Sequence, residues 1–136
     1  MANIRLESYL FFKGNCREAM EFYKSIFGGE LSFQTYGDVG AANADNDKDN
    51  IMHAKLEGGL ITLMASDTSM ASPKMAKVSL SLNGTDEKKL HEIFGQLSEG
   101  VEVKHPLKKE FWGDTYGDLT DKYGIDWMVN IEAKKE

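Results

Sequence analysis

The sequence predicts an α+β fold in which one domain, residues 1–136, contains two tandem βαβββ modules. An internal duplication is the main observation: Leu10 and Gly14 correspond to Leu80 and Gly84 at the same spacing. Each half also has one helical apolar stripe, followed by further strand-like segments. Together these observations place the modules at about residues 3–66 and 76–132.

The first module begins with an apolar strand at residues 6–12 and a helix that starts at Asn15. Glu18 occupies the capping-box position, and the apolar residues that follow recur at helical spacing, so one helix face is expected to be buried. Gly28 and Gly29 are expected to end the helix. The remaining strands of this module are predicted at residues 31–36, 51–56 and 60–65.

The second module repeats this order, beginning with a strand at residues 77–82 that alternates between apolar and polar side chains. Asn83 and Gly84 are expected to break that strand, and Thr85 is expected to cap the second helix. The apolar stripe of the helix consists of Leu90, Ile93, Phe94 and Leu97. Further strands are predicted at residues 101–107, 115–120 and 125–131.

The composition excludes several classes of protein. Apolar residues make up 41% and charged residues 28%, which is typical of a soluble globular domain. The net charge of −6 argues against a nucleic-acid or anionic-membrane partner. No apolar stretch approaches the ~18 residues of a membrane span. Because Cys16 is the single cysteine and no signal peptide is visible, we expect a cytoplasmic protein with an inert thiol.

Three segments carry a resemblance to a known family. They are YLFFKGNCREAMEFY at residues 9–23, MHAKL at residues 52–56, and residues 111–127, which begin with FWG and end with DKYGIDW. With the duplication, these segments resemble the PhnB-like branch of the vicinal-oxygen-chelate superfamily. That superfamily includes glyoxalase I, extradiol dioxygenases and bleomycin-resistance proteins. The resemblance covers nearly the whole chain.

The resemblance implies that each mixed sheet curves into half of a cup, with the helices on the convex face and a ligand on the concave face. It also implies a homodimer. Superfamily members that use a metal hold it at four strand positions, which correspond here to Ser8, Thr62, Lys77 and Met128. Hydroxyl, ammonium and thioether groups are poor ligands for a Lewis-acidic cation. We therefore expect no metal and no other cofactor.

Strand alternation separates polar faces from apolar faces without any reference to the family. His53 and Lys55 alternate with Ala54 and Leu56, for example. A polar stripe on the inner face of the sheets suits a ligand pocket, although such a stripe can equally face solvent. The expected ligand-binding residues are Ser8, His53, Lys55, Thr62, Lys77, Ser79, Trp112, Tyr116, Asp126 and Met128.

Four of these residues suggest a particular chemistry. His53 is the candidate catalytic residue because an imidazole titrates near neutral pH; a strand histidine that is hydrogen-bonded to a neighbour is the other interpretation. Lys55 and Lys77 would favour an anionic ligand. Trp112 suggests contact with an aromatic ligand, although packing in the core or at a dimer interface is the more common use of tryptophan.

Three functions remain open on the sequence. The expected function is the binding of a small anionic or aromatic molecule without a metal, which the sequence does not separate from metal-free catalysis. The first alternative is a metal-dependent lyase, isomerase or dioxygenase in which His53, Glu57 or Asp126 replaces the missing ligands. The second is a non-catalytic homodimeric interaction protein. Methyl transfer is not supported, because no glycine-rich nucleotide loop follows the first strand.

Overall fold

The computed structural model describes residues 7–42, 47–68 and 79–133. The chain divides into two compact units, Met1–Met75 and Ala76–Glu136. Within the described residues, each unit contains one helix and four strands in the order βαβββ. This order confirms the predicted α+β fold of two tandem modules.

The first unit consists of β1 (Ser8–Phe12), α1 (Cys16–Phe27), β2 (Glu30–Thr35), β3 (Ile51–Glu57) and β4 (Leu63–Asp67). Its four strands form one mixed sheet in the order β1-β4-β3-β2. The first strand pairs with the last in parallel orientation, and the other neighbours are antiparallel. The chain therefore crosses over through α1 before the sheet is completed by a meander.

The second unit has the same topology, with β5 (Leu80–Gly84), α2 (Glu87–Leu97), β6 (His105–Lys109), β7 (Thr115–Thr120) and β8 (Asp126–Ile131). The strand order is β5-β8-β7-β6, and β5 is parallel to β8. The duplication seen in the sequence is therefore a duplication of topology.

Each helix covers one face of its own sheet, because its apolar stripe meets alternate residues of the strands. The buried residues of α1 include Met20, Tyr23 and Phe27, and α2 buries all four residues of its predicted stripe. A buried side chain of this size contributes roughly 1.5–3 kcal/mol relative to an exposed one. We call the opposite face of each sheet, which its own helix does not cover, the helix-free face.

In the first unit, β4 begins three residues later than predicted. Gly59 and Leu60 contact the end of α1 instead of pairing in the sheet: the Leu60 N–H donates to the Phe27 carbonyl at 3.2 Å. A Cβ atom on Gly59 would lie 2.6 Å from that carbonyl oxygen, so the approach requires glycine. Thr62 consequently lies outside the strand on which it was predicted.

In the second unit, three predicted boundaries are wrong. Asn83 and Gly84 continue β5, since both pair with β8. The helix is capped by Asp86 and not by Thr85, because the Asp86 carboxylate accepts from the Lys89 N–H at 3.1 Å. The strand β6 starts at His105 and not at residue 101, where the Val101 N–H donates to the Ser98 carbonyl in a turn that follows α2.

The carboxylate of Asp67 joins three parts of the first unit. Its side chain is only 2% exposed, and it accepts hydrogen bonds of 2.9 Å from the N–H groups of Gly14, Cys16 and Ile51. The predicted capping box is therefore wrong: Asn15 makes no side-chain cap, and a residue from β4 binds the start of α1 instead. This contact fixes α1 relative to β3 and β4.

We expect Asp67→Asn to lower the free energy of unfolding by about 3 kcal/mol, because an amide oxygen cannot accept all three bonds and its NH₂ group would face other donors. Urea denaturation measures the change. Asp49→Asn, at an exposed position, serves as the control and should change stability by less than about 0.5 kcal/mol. Equal stability of the two variants would contradict the role assigned to Asp67.

Candidate functional site

The helix-free face of the second unit carries most of the polar side chains of β6, β7 and β8. Register places Tyr116 beside Asn130 and Asp118 beside Met128 on this face. Their sequence neighbours point to the helix side, where Trp127 and Val129 are fully buried. β8 therefore has a buried face and a polar face.

A network of three hydrogen-bonded side chains lies on this face. Nδ1 of His105 is 2.9 Å from Oδ1 of Asp118, and the Tyr116 hydroxyl donates to Oδ2 of the same carboxylate at 2.9 Å. Burial, together with the hydrogen bond and the charge of Asp118, raises the pKa of Tyr116 above its ordinary value. Asp118 thus uses both oxygens, one toward the imidazole and one toward the phenol.

The hairpin of β6 and β7 forms a cleft of about 500 Å³ around this network. Trp112 also lines the cleft, and its side chain is 51% exposed. Four charged residues line it as well: Lys104, Lys108, Glu110 and Asp118. The cleft therefore combines an exposed aromatic ring with a balanced set of cations and carboxylates.

The turn that carries Trp112 is fastened to the sheet by Asp114. This carboxylate accepts from the backbone N–H of Ala133 and from Nδ2 of Asn130, both at 3.0 Å. These bonds, the backbone one first, hold the pKa of Asp114 below its ordinary value. Phe111, 95% exposed, meets the Trp112 ring edge-on. The position of the turn is thus set by the hydrogen bonds that Asp114 accepts from Asn130, in β8, and from Ala133, which follows β8.

The bulge in β6 brings His105 opposite Asp118. Pro106 has no N–H to donate, and the register between β6 and β7 shifts between His105 and Lys108. Gly117 lies under the bulge, where a Cβ atom would come within 2.9 Å of the Leu107 nitrogen. A side chain at that position would push the two strands apart.

The helix-free face of the first unit holds His53 and Lys55. The Tyr9 hydroxyl is 3.2 Å from Nδ1 of His53, which corresponds to the hydrogen-bonded strand histidine considered above. Lys55 forms an ion pair with Glu57 at 3.3 Å. Its charge is therefore already partnered, which weakens the argument for an anionic ligand at this position.

The other residues expected to bind a ligand are scattered. Ser8 aligns with Leu63, so it lies on the helix side of β1, and Tyr9 occupies the helix-free face instead. Ser79 is exposed just before β5, and Asp126 accepts a hydrogen bond from Thr120. Lys77 lies outside the described residues.

The donors present do not fit a divalent metal. Thr62 lies before the start of β4, and Ser8 lies on the helix side of β1 and not on the helix-free face. Met128 offers only a thioether beside Asp118. Across residues 7–42, 47–68 and 79–133, no group of three or more His, Cys, Asp or Glu is placed to hold a metal ion. Oxygen and imidazole ligands in such a group are what a Lewis-acidic cation requires.

The chain matches a known protein family over most of its length. The family model described as 3-demethylubiquinone-9 3-methyltransferase matches residues 5–130. The chain belongs to this family. Another structure with this fold, protein PA1353 from Pseudomonas aeruginosa, is 38% identical; the match covers 97% of this chain and all of that one, with a TM-score of 0.82.

More distant structures place the family within a larger group of folds. A PhnB protein from Bacillus cereus is 23% identical, covers 95% of this chain and all of its own, and has a TM-score of 0.76. A bleomycin-binding protein, solved with bleomycin, is 17% identical over 95% of this chain and 99% of its own, with a TM-score of 0.55. The predicted PhnB-like relationship and the glyoxalase and bleomycin-resistance fold are thereby confirmed.

Sequence reasoning identified part of the cleft in this family member. It selected Trp112 and Tyr116, which both line the cleft, but it selected neither His105 nor Asp118. The alternation of polar residues in β7 was the available signal for Asp118.

In the described part of the chain, neither helix has the length and apolar character that crossing a membrane requires.

Cys16 is buried in the core, and burial, then the charge of Asp67, raise the pKa of its thiol to about 12. The thiol is therefore protonated at neutral pH and unable to act as a nucleophile. We expect no reaction with Ellman's reagent at pH 8 in the native protein and one thiol per chain in 6 M guanidinium chloride. Rapid native labelling would contradict this placement.

Proposed function

We propose that this protein binds a small aromatic molecule in the cleft of the second unit, without a metal. The observation that carries the proposal is the cleft itself, in which Trp112 lies next to the His105–Asp118–Tyr116 network. Its volume of about 500 Å³ falls within the roughly 300–1,000 Å³ common for small-molecule sites. An aromatic ring can stack on the exposed indole, while polar substituents reach the charged side chains.

The charges of the cleft favour a polar ligand over a strongly anionic one. Lys104 and Lys108 are balanced by Glu110 and Asp118. A single carboxylate on the ligand can be met by one lysine, whereas a multiply charged anion would face two acids. The preference for an anion that Lys55 and Lys77 suggested is therefore not the basis of the proposal.

The fold neighbours support a small-molecule ligand in a general way. One of them was solved with bleomycin bound, which shows that this fold can present a ligand site. Homodimer formation, which the family resemblance implies, remains a prediction for this chain.

Removing the indole should weaken binding. We expect phenylpyruvate and benzoate, used as aryl probes, to give saturable saturation-transfer NMR signals, and Trp112→Ala to raise the dissociation constant about tenfold or more. Phe11→Ala, which removes a similarly exposed ring from the first unit, serves as the matched control and should keep the affinity. Cyclohexanecarboxylate should bind more weakly than benzoate.

Two results would contradict this proposal. One is the absence of saturable binding for every aryl probe. The other is equal loss of affinity in Trp112→Ala and Phe11→Ala, which would mean that the cleft does not hold the ring.

The lack of a suitable donor set among the described residues predicts the metal content of the purified protein. We expect less than about 0.1 divalent ion per chain by elemental analysis after desalting, and unchanged probe affinity after treatment with EDTA. A stoichiometric ion that resists EDTA, together with loss of binding when it is stripped, would contradict a metal-free site.

A further inference from the structure

We infer that His105 is a general base, which removes a proton from a carbon next to the carbonyl group of a ligand bound in the cleft. The inference rests on the proposed function, because the ligand must first bind beside Trp112. The substrate class is a small aryl carbonyl compound, and the reaction is a reversible keto–enol conversion. Nothing in this reaction requires a metal, a redox cofactor or a second substrate.

The contact with Asp118 sets the orientation of the His105 imidazole. A carboxylate only accepts hydrogen bonds, so the 2.9 Å contact with Asp118 assigns the ring hydrogen to Nδ1. The lone pair is then on Nε2, the atom that must receive a proton. The His105 side chain is 70% exposed and lines the cleft, so a ligand can reach this nitrogen.

Asp118 is itself held in place by Tyr116. Its other oxygen accepts the hydrogen bond of Tyr116, and the two residues alternate on β7. Asp118 is therefore a positioning residue, which fixes the tautomer and ring direction of His105. His53 lacks such support, because a phenol and not a carboxylate lies at its Nδ1.

Two lysines place positive charge in the cleft. Lys104 and Lys108 line the same cleft as His105. An ammonium group near the carbonyl oxygen stabilises the negative charge that develops there as the proton leaves. Glu110 also lines the cleft and would oppose an anionic group placed beside it.

The step is balanced as follows. The C–H bond next to the carbonyl breaks, and its proton passes to Nε2 of His105. The bonding electron pair forms a carbon–carbon double bond, while the carbonyl π pair moves to oxygen and gives an enolate. The imidazolium then returns a proton to the oxygen, giving the enol, or to the carbon, restoring the ketone.

Hydrogen–deuterium exchange at the benzylic carbon of phenylpyruvate tests this inference. In D₂O, the wild-type protein should accelerate the exchange measured by proton NMR above the buffer rate. His105→Gln should lower the protein-dependent rate about 100-fold, in the range of lost general-base catalysis. His91→Gln is the matched control, since His91 also lies near a carboxylate of the second unit, 3.9 Å from Glu87, but outside the cleft; its rate should equal wild type.

The positioning role of Asp118 needs a separate readout. Asp118→Asn should lower the exchange rate at least about tenfold while leaving the dissociation constant of phenylpyruvate within about threefold. The ¹⁵N chemical shifts of His105 should show Nδ1–H in the wild type and a changed tautomer ratio in the variant. Unchanged shifts together with an unchanged rate would overturn the assignment.

Binding and exchange distinguish this inference from the proposed function. Phenylpyruvate that binds beside Trp112 without accelerated exchange, or a folded His105→Gln variant with the wild-type rate, overturns the general base and leaves the binding site intact. Absence of saturable phenylpyruvate binding overturns the inference, and absence of benzoate binding as well contradicts the proposed aryl site. Circular dichroism and urea unfolding establish that each variant is folded.

Discussion

A single buried carboxylate organises the first unit. Moving a charged group out of water costs several kcal/mol unless hydrogen bonds replace its hydration, and Asp67 receives three. Asp121 is the buried acid of the second unit, but its bonds are local: it accepts from the N–H groups of Tyr123 and Ile125 and from Nε1 of Trp127. In the described ranges, no buried side-chain nitrogen or oxygen lacks a hydrogen-bond partner. One buried acid thus joins distant segments of the first unit, and another fixes the turn between β7 and β8.

The sequence predicted the elements whose formation depends on local pattern. The stripes of both helices, the bounds of β7 and the duplicated topology follow from periodicity and turn residues, which act over a few positions. The wrong predictions fall where contacts between residues distant in the sequence determine where an element begins or how it is capped. The cap of α1 comes from β4, and the start of β4 is delayed because Leu60 bonds to the helix end. No local signal in the sequence reports such pairings.

The candidate site also combines residues that local pattern identifies with residues that only distant contacts bring together. Trp112 and Tyr116 were recognisable from residue type and position in a hairpin, whereas the partnership of His105 with Asp118 depends on a bulge that sets the register. Ser8 illustrates the sensitivity of strand predictions: a shift of one residue moves a side chain to the other face of the sheet. A pair of residues on neighbouring strands, such as His105 and Asp118, can be predicted only when the position of the bulge is known.

The cleft lies on an edge hairpin, and this location has an evolutionary consequence. β6 pairs with β7 alone, while α2 packs mainly on β5 and β8, so the apolar core lies on the far side of the sheet from Trp112 and His105. The residues proposed to contact a ligand are therefore separate from the residues of the apolar core. New specificities can arise by substitution at the exposed positions of the hairpin, which exclude Gly117 and the buried Leu119, with little loss of stability. Most members of a combinatorial library confined to those positions would fold.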